Sequence, residues 1–153
     1  MPNLCVKDPR GNISTRTYNA KGWLLSVANA FGHTTRYDYD TVGNALKATD
    51  PKGGIVSYTY DALNQLTQIT DALGGTTRYT YDAEGRTTTV TDPGHDSPAG
   101  PVRIVTQYTY DTDGRIATNV DGNGNILSGI YGSAADGLNG LLKQVQYPTF
   151  AED

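Results

Sequence analysis

The sequence is poor in the residues that build disulfide frameworks, metal clusters and large apolar cores. Its 153 residues include one cysteine, Cys5, one methionine, one tryptophan and two phenylalanines, and 37% of the residues are hydrophobic. A single cysteine excludes an internal disulfide framework and a thiolate zinc cluster made by this chain alone. Cysteine usage therefore leaves the redox compartment open.

Long apolar runs and basic clusters are also missing. No stretch approaches the roughly 20 apolar residues of a membrane span, and the start of the chain lacks the basic and apolar regions of a signal peptide. The formal charge is −4, and the 12 Lys and Arg residues are scattered along the chain. We therefore expect a segment without a membrane span, without an export signal of its own and without nucleic acid as a partner.

The sequence is rich in tyrosine and glycine, with 11 and 18 residues, and the tyrosines are periodic. A Tyr-x-Tyr-Asp motif occurs four times, and its second tyrosine follows a period of 21 residues apart from one interval of 29. One step of 21 residues beyond the first and the last copy falls on Tyr18 and Tyr131, and all six tyrosines of the period are here called motif tyrosines. The motif tyrosines are Tyr18, Tyr39, Tyr60, Tyr81, Tyr110 and Tyr131. A fixed period predicts one supersecondary unit per copy. We expect residues 1–153 to form a single repeat array, with a solvated loop insertion at about residues 94–101, and to be a fragment of a much larger protein.

Two turn signatures recur in each copy. In an Asp-x-x-Gly turn the carboxylate binds the turn backbone and the fourth residue takes a positive φ, which glycine accepts and asparagine tolerates. This pattern predicts three-residue hairpin loops with a G1 bulge. The structural turn residues after the motif tyrosines are Asp40 and Gly43, Asp61 and Asn64, Asp82 and Gly85, and Asp111 and Gly114. The second signature begins at Asp8, Asn29, Asp50, Asp71 and Asp121. Each copy is therefore expected to contain two turns and two strands.

The residues between the turns are rich in Thr, Tyr, Val and Ile, which is typical of β-strands. Each motif tyrosine is expected to lie opposite the residue six positions further on, namely Leu24, Ala45, Leu66, Thr87 or Ile116. We interpret the paired tyrosines as a structural ladder. Its members are Tyr37, Tyr39, Tyr58, Tyr60, Tyr79, Tyr81, Tyr108 and Tyr110. The predicted fold is all-β, with tandem antiparallel hairpins of about 21 residues that form a coiled, solenoid-like or shell-fragment sheet.

The segment YTYDALNQLTQITDALGGTTRYTYDAEGRTTTVTDPG, from Tyr58 to Gly94, resembles the YD repeat of the RHS family, and the resemblance extends from about Asp8 to Tyr131. This family includes bacterial Rhs polymorphic toxins, shell subunits of insecticidal toxin complexes, wall-associated proteins and teneurins. The resemblance implies a spiralling sheet that encloses the toxic C-terminal region of the same polypeptide. It also implies a non-enzymatic segment, at the surface of or secreted by a bacterium, whose partner is the rest of its own chain.

Individual residues were the basis for considering other kinds of site. The acidic pair Asp38 and Asp40 does not predict catalysis, because Asp38 stands where other copies have threonine and most other Asp residues occupy turn positions. Aligned Asp turns could bind calcium, but their spacing differs from the nonapeptide calcium repeat. No catalytic, cofactor or metal residue is therefore predicted. The alternative function is an extracellular module that binds carbohydrate or a cell-surface ligand. Trp23 would be its contact residue, and we expect Trp23 to face either solvent or a neighbouring repeat.

Overall fold

The computed structural model describes residues 3–92, 95–97, 100–102, 105–131 and 142–146. Within these ranges every regular element is a β-strand, as expected for segments rich in Thr, Tyr, Val and Ile. The strands are β1 (Asn3–Lys7), β2 (Ile13–Tyr18), β3 (Leu24–Ala28), β4 (Thr34–Tyr39), β5 (Ala45–Thr49), β6 (Ile55–Tyr60), β7 (Leu66–Thr70), β8 (Thr76–Tyr81), β9 (Thr87–Thr91), β10 (His95–Ser97), β11 (Gly100–Val102), β12 (Val105–Tyr110), β13 (Ile116–Val120), β14 (Ile126–Tyr131) and β15 (Leu142–Gln146).

The strands fall into two compact units, residues 1–76 (unit 1) and residues 77–153 (unit 2). In unit 1, strands β1 to β7 are neighbours in sequence order, and each pair is antiparallel. In unit 2 the order is β8-β9-β12-β13-β14-β15, with antiparallel pairing from strand to strand. The predicted all-β fold of tandem antiparallel hairpins is confirmed. A single array over residues 1–153 stays a prediction.

The same loop closes the hairpins at both ends of the strands. At Asp61, the backbone N–H donates to the carbonyl of Gln65 at 2.9 Å, and the N–H of Asn64 donates to the carbonyl of Asp61 at 3.1 Å. The fourth residue of each turn has a left-handed backbone conformation, with a φ of 62° at Asn64 and of 80° to 111° at the equivalent glycines. These bonds and angles define a type I turn followed by a G1 bulge, and they confirm the predicted turn type.

Each hairpin contains a register shift at its motif tyrosine. In β6 and β7, Thr59 lies opposite Gln68 but Tyr60 lies opposite Leu66. Four other motif tyrosines pair in the same way, as Tyr18–Leu24, Tyr39–Ala45, Tyr81–Thr87 and Tyr110–Ile116, whereas Tyr131 lies opposite Leu142. The predicted cross-strand partners are therefore confirmed. Because side chains alternate along a strand, the tyrosines and aliphatic residues share one side, here called the tyrosine face, and Thr and Ser dominate the other.

No described residue is fully buried. The motif tyrosines of the described strands are half-buried, whereas three turn-tip residues, Leu73, Phe31 and Leu63, are exposed to 98%, 84% and 74%. Stability in each unit therefore comes from strand pairing, turn hydrogen bonds and half-buried side chains. Across the described ranges, no helix has the length and apolar character needed to cross a membrane.

The insertion at about residues 94–101, expected as a solvated loop, contains a short hairpin instead. Strands β10 and β11 pair at His95–Val102, Asp96–Pro101 and Ser97–Gly100. Pairing satisfies backbone groups that a loop would leave to water. The insertion leaves the repeat intact, because β9 and β12 pair directly, with Thr91 opposite Val105. The sequence from Gly132 is compatible with a longer hairpin and with a short helical turn, and residues 132–141 lie outside the described ranges.

Candidate functional site

The aspartate that directly follows four of the motif tyrosines, here called the turn aspartate, binds the backbone of its own turn. The Oδ1 atom of Asp61 accepts hydrogen bonds from the N–H of Leu63 at 2.9 Å and of Gln65 at 2.8 Å. Its Oδ2 atom accepts a bond from the Gln65 side chain at 3.0 Å. The structure places Asp40, Asp82 and Asp111 in the same arrangement. The carboxylate thus fixes the turn at two backbone amides and one side chain.

These contacts lower the pKa of three turn aspartates, Asp40, Asp82 and Asp111. For Asp82, desolvation by the surrounding chain raises the pKa, but hydrogen bonds from the backbone and guanidinium of Arg86, together with its charge, outweigh that effect. Desolvation is likewise outweighed at Asp40 by hydrogen bonds from Asn44, Gly43 and Val42, and at Asp111 by those from Arg115 and Asp113. The carboxylates are therefore ionised acceptors at neutral pH.

The hydroxyl of a motif tyrosine reaches back to the preceding repeat. The Tyr60 hydroxyl donates to the carbonyl of Ala45 at 3.0 Å. Ala45 is also the cross-strand partner of Tyr39, the preceding motif tyrosine. The same bond, here called the tyrosine latch, recurs in unit 2 as Tyr110–Thr87 at 2.6 Å and Tyr131–Ile116 at 2.8 Å. In each latch, the acceptor carbonyl belongs to the residue that lies opposite the preceding motif tyrosine. The latch therefore joins consecutive repeats.

The latch tyrosine Tyr60 is a neutral donor. Desolvation, with smaller contributions from Tyr58 and Asp40, raises the pKa of Tyr60 above its ordinary value of 10.0. Desolvation and the nearby Tyr37 raise the pKa of Tyr39 in the same direction. A phenol with a raised pKa keeps its proton at neutral pH, and it can therefore donate the hydrogen bond that the latch requires.

The side chain five residues after a motif tyrosine, here called the fifth-position residue, covers the motif tyrosine of the next repeat. The guanidinium carbon of Arg86 lies 4.6 Å from the ring centre of Tyr110, and that of Arg115 lies 4.5 Å from the ring centre of Tyr131. Such stacking of a cation on an aromatic face is attractive. These contacts link repeats on the same edge as the turn aspartates.

Trp23 is the fifth-position residue of the first repeat, and it contacts the neighbouring repeat. Its ring centre lies 5.6 Å from that of Tyr39, with the planes inclined by 42°. The ammonium of Lys21 lies 4.6 Å from the Trp23 ring and also donates to the carbonyl of Thr41 at 2.7 Å. Trp23 is half-buried. Of the two orientations expected, the structure shows the one towards a neighbour, and a ligand contact at Trp23 stays a prediction.

The remaining candidates do not come together as a reactive site. Asp38 lies opposite Lys47 across the β4–β5 pair, whereas the carboxylate of Asp40 is bound to its own turn. His33 lies beside Phe31, with ring centres 6.4 Å apart, and Cys5 is exposed on β1. In the part of the chain that the structure describes, no group of three or more His, Cys, Asp or Glu residues could hold a metal ion.

A shallow groove of about 320 Å³ lies on the tyrosine face of unit 2. It is lined by Tyr79, Thr87, Val90, Tyr108, Tyr110 and Ile116. This lining is aromatic and aliphatic, and it includes both partners of the Tyr110–Thr87 latch. The groove thus lies where the repeats of Tyr81 and Tyr110 contact each other on the tyrosine face.

The model of the RHS repeat family matches residues 18–55, 39–76 and 60–97, which together span just over half of the chain. No curated protein matches the chain.

Solved structures resemble the chain in fold. A crystal structure of TcdB2-TccC3-TEV has a TM-score of 0.74 at 17% identity, covering 95% of this chain and 8% of that one. TcdB2-TccC3 without its hypervariable C-terminal region has a TM-score of 0.66 at 21% identity, covering 80% and 6%. A Photorhabdus luminescens Tc holotoxin pore carrying a TccC3 substitution has a TM-score of 0.60 at 18% identity, covering 92% and 7%. The chain therefore spans less than a tenth of the length of these proteins.

Proposed function

The chain belongs to the RHS repeat family, and on that premise we propose that it is one segment of a β-strand wall that encloses or displays a toxin or another C-terminal domain of the same polypeptide. The tyrosine latch carries this proposal. A wall needs each repeat to be fixed to the next one, and the latch makes the same backbone-directed bond at Tyr60, Tyr110 and Tyr131. In this function the repeats are structural and non-enzymatic.

The turns support the same role. Each turn aspartate binds its own loop, and the register shift places the motif tyrosine of the same hairpin opposite an aliphatic residue or a threonine. Register is strongly specified when turn geometry and side-chain pairing agree. Repeats of this kind add stability copy by copy. Such an array suits a long wall better than a compact catalytic domain.

The proposed partner is the remainder of the polypeptide, and the proposed location is the surface or surroundings of a bacterial cell. An antibody against residues 1–153 would be used to blot cells and culture medium. We expect a band several times larger than the 16.4 kDa of this chain, in the medium or at the cell surface. A native band at 16.4 kDa would contradict the wall, since a single segment of this size has no further domain to enclose.

Enclosure has a separate test in the native polypeptide. Limited proteolysis followed by mass spectrometry would compare the natural protein with a variant that lacks two latches, Tyr60→Phe with Tyr110→Phe. We expect the C-terminal region to be protected in the natural protein and cleaved faster in the variant. Thr112→Ser, at an exposed turn tip, is the matched control. Equal cleavage of the C-terminal region in all three proteins would argue against enclosure.

Binding of carbohydrate or of a cell-surface ligand is the alternative, with Trp23 as its contact residue. Glycan binding would be compared for the natural chain, Trp23→Phe and Trp23→Ala. Trp23→Phe keeps an aromatic ring against Tyr39, so it separates the packing role of Trp23 from a ligand contact. Binding that Trp23→Ala abolishes while the melting temperature of the chain is unchanged would favour the ligand module over the wall.

A further inference from the structure

Neighbouring turns on the motif-tyrosine edge touch each other through two positions. The first is the fifth-position residue of one repeat. The second lies in the following repeat, four positions after its motif tyrosine, and is here called the fourth-position residue. The fourth-position residue is the left-handed residue of its turn. The structure shows this contact in the pairs Trp23–Gly43, Asn44–Asn64 and Arg86–Gly114. The three pairs differ in the space that they leave.

The Trp23 ring fills the space beside Gly43. A Cβ atom placed on Gly43 would lie 2.9 Å from Cζ2 of Trp23 and 3.1 Å from its Cε2. The turn itself has adapted, because the φ of Gly43 is 111° whereas that of Gly114 is 80°. The Gly43 N–H donates to Oδ1 of its turn aspartate, Asp40, at 2.7 Å. An indole at the fifth position thus demands glycine at the next fourth position.

Asn44 makes a different kind of contact. Its side-chain amide donates to Oδ1 of Asn64 at 2.8 Å and also to Oδ2 of Asp40 at 2.8 Å. Asn64, with a φ of 62°, is the only non-glycine residue with positive φ among those that the structure describes. Asparagine tolerates this conformation better than most residues, but it still prefers other conformations. Here its side chain gains a hydrogen bond from the repeat before it.

Arg86 leaves more room than Trp23. Its Nη1 atom lies 3.7 Å from the place of a Cβ on Gly114, which is an ordinary contact distance. The guanidinium lies over Tyr110 and is bound to Asp82, so its end points along the edge. The difference between 2.9 Å and 3.7 Å is the difference between overlap and contact.

We propose that the fifth-position residue of one repeat specifies the fourth-position residue of the next, so that adjacent repeats recognise each other as matched pairs. An indole requires glycine, the short amide of Asn44 favours asparagine, and a guanidinium leaves room for either residue. The longer amide of Gln65 is followed by glycine, Gly85, so the match depends on the length of the side chain as well as on its amide group. The matching decides which repeat can follow which. It does not depend on whether the wall encloses a C-terminal domain, and its tests use melting of the 153-residue chain.

The first test introduces asparagine at three glycines, each with positive φ. Gly53→Asn is the control, since its φ is 90° and no atom lies within 4 Å of a Cβ there. We expect Gly53→Asn and Gly114→Asn to lower the melting temperature by similar small amounts. Gly43→Asn should lower it by about 5 °C more, because overlap with Trp23 is relieved only by strain. Equal shifts at Gly43 and Gly53 would overturn the proposal.

The second test exchanges whole pairs. Trp23→Asn combined with Gly43→Asn recreates the Asn44–Asn64 pair in the preceding repeats, and we expect this double variant to melt above Gly43→Asn alone. If Gly43→Asn does not fold, the reverse exchange at the Asn44–Asn64 pair tests the coupling instead. Asn44→Trp should lower the melting temperature, and adding Asn64→Gly should recover part of the loss. Additive effects within the exchanged pairs would show that the two positions are not coupled.

Discussion

Unit 1 and unit 2 close the same turn with different chemistry. In unit 1, Asn44 and Gln65 donate to the second oxygen of their turn aspartates from neutral amides, at 2.8 Å and 3.0 Å. In unit 2, Arg86 and Arg115 donate to the equivalent oxygen through Nε, at 2.6 Å and 2.7 Å. All four turns have an aspartate and a residue with positive φ, whereas the side chain that donates to the second carboxylate oxygen differs. The fold therefore requires an acceptor at the turn and leaves the donor free to vary.

The arginines of unit 2 add contacts that the amides of unit 1 do not. Arg86 also pairs with Glu84 at 3.2 Å, Arg115 with Asp113 at 2.7 Å, and each guanidinium stacks on the next motif tyrosine. The arginine side chains are about 30% exposed, so water and salt weaken these ion pairs. Unit 2 thus links these repeats through guanidinium groups. Unit 1 uses ring packing, the Asn44–Asn64 amide bond and the ammonium of Lys21, which donates to the carbonyl of Thr41.

Acid should produce the largest loss of stability. Protonation removes the ionised turn aspartates, which both units have in common. Three turn aspartates, Asp40, Asp82 and Asp111, have a lower pKa in the folded chain than the ordinary value of 3.8. Their stabilisation is therefore present above pH 3.8 and is lost as the pH falls through the lower folded values. We expect the melting temperature to fall steeply below that pH.

Asparagine in place of a turn aspartate sharpens the acid test. Asn19 already holds a turn of the first repeat, accepting hydrogen bonds from the N–H groups of Lys21 and Trp23. Asp40→Asn should therefore fold and lose less stability between pH 7 and pH 2 than the natural chain. Asp38→Asn, which changes a carboxylate outside the turns, is the control. A melting temperature that is unchanged at pH 2 would contradict the role of the carboxylates.

Gly85→Val should cause the next largest loss. Gly85 has a φ of 80°, a conformation that a β-branched residue adopts only with strain, so we expect about 1–2 kcal/mol of lost unfolding free energy. Ala83→Val changes the same loop without this demand and should cost little. Chemical denaturation of both variants measures the difference. Equal stabilities would contradict the left-handed turn in unit 2.

Removing a latch should lower the free energy of unfolding by less than Gly85→Val does, and the loss should be the same in each unit. Tyr60→Phe and Tyr110→Phe each remove one hydroxyl-to-carbonyl bond and keep the ring, so we expect a loss of about 0.5–1.5 kcal/mol for each. The two losses should add, because the residues lie in different units and share no partner. A loss confined to one unit would show that the latch is not common to both.

The regular features of this fold could be predicted because they are local. The period, the Asp-x-x-Gly turns and the partner of each motif tyrosine follow from residues within one hairpin, and the structure places Tyr60 opposite Leu66 as expected. The latch could not be predicted in this way. Its acceptor, Ala45, belongs to the preceding hairpin, and its position depends on how two hairpins align.

Two other features depend on contacts that composition does not encode. Trp23 stands where other repeats have polar residues, and the sequence left open whether it faces solvent or Tyr39. The insertion is rich in Gly, Pro and Ser, which is typical of a loop, yet His95–Ser97 and Gly100–Val102 pair as strands. In both cases the outcome depends on a neighbour distant in sequence or on backbone pairing, which residue type alone does not specify.

Exchanging the donor in unit 2 should have the smallest effect and should test the comparison directly. Arg86→Gln places the donor of Gln65 in a unit 2 turn, keeping a bond to Asp82 while removing the charge and the stacking on Tyr110. We expect a small loss of stability in low salt that disappears in high salt, because screening weakens the ion pairs of the natural chain only. Arg78→Gln, on the opposite face of β8, is the control. A loss that is equal at low and high salt would mean that Arg86 acts through packing rather than through charge.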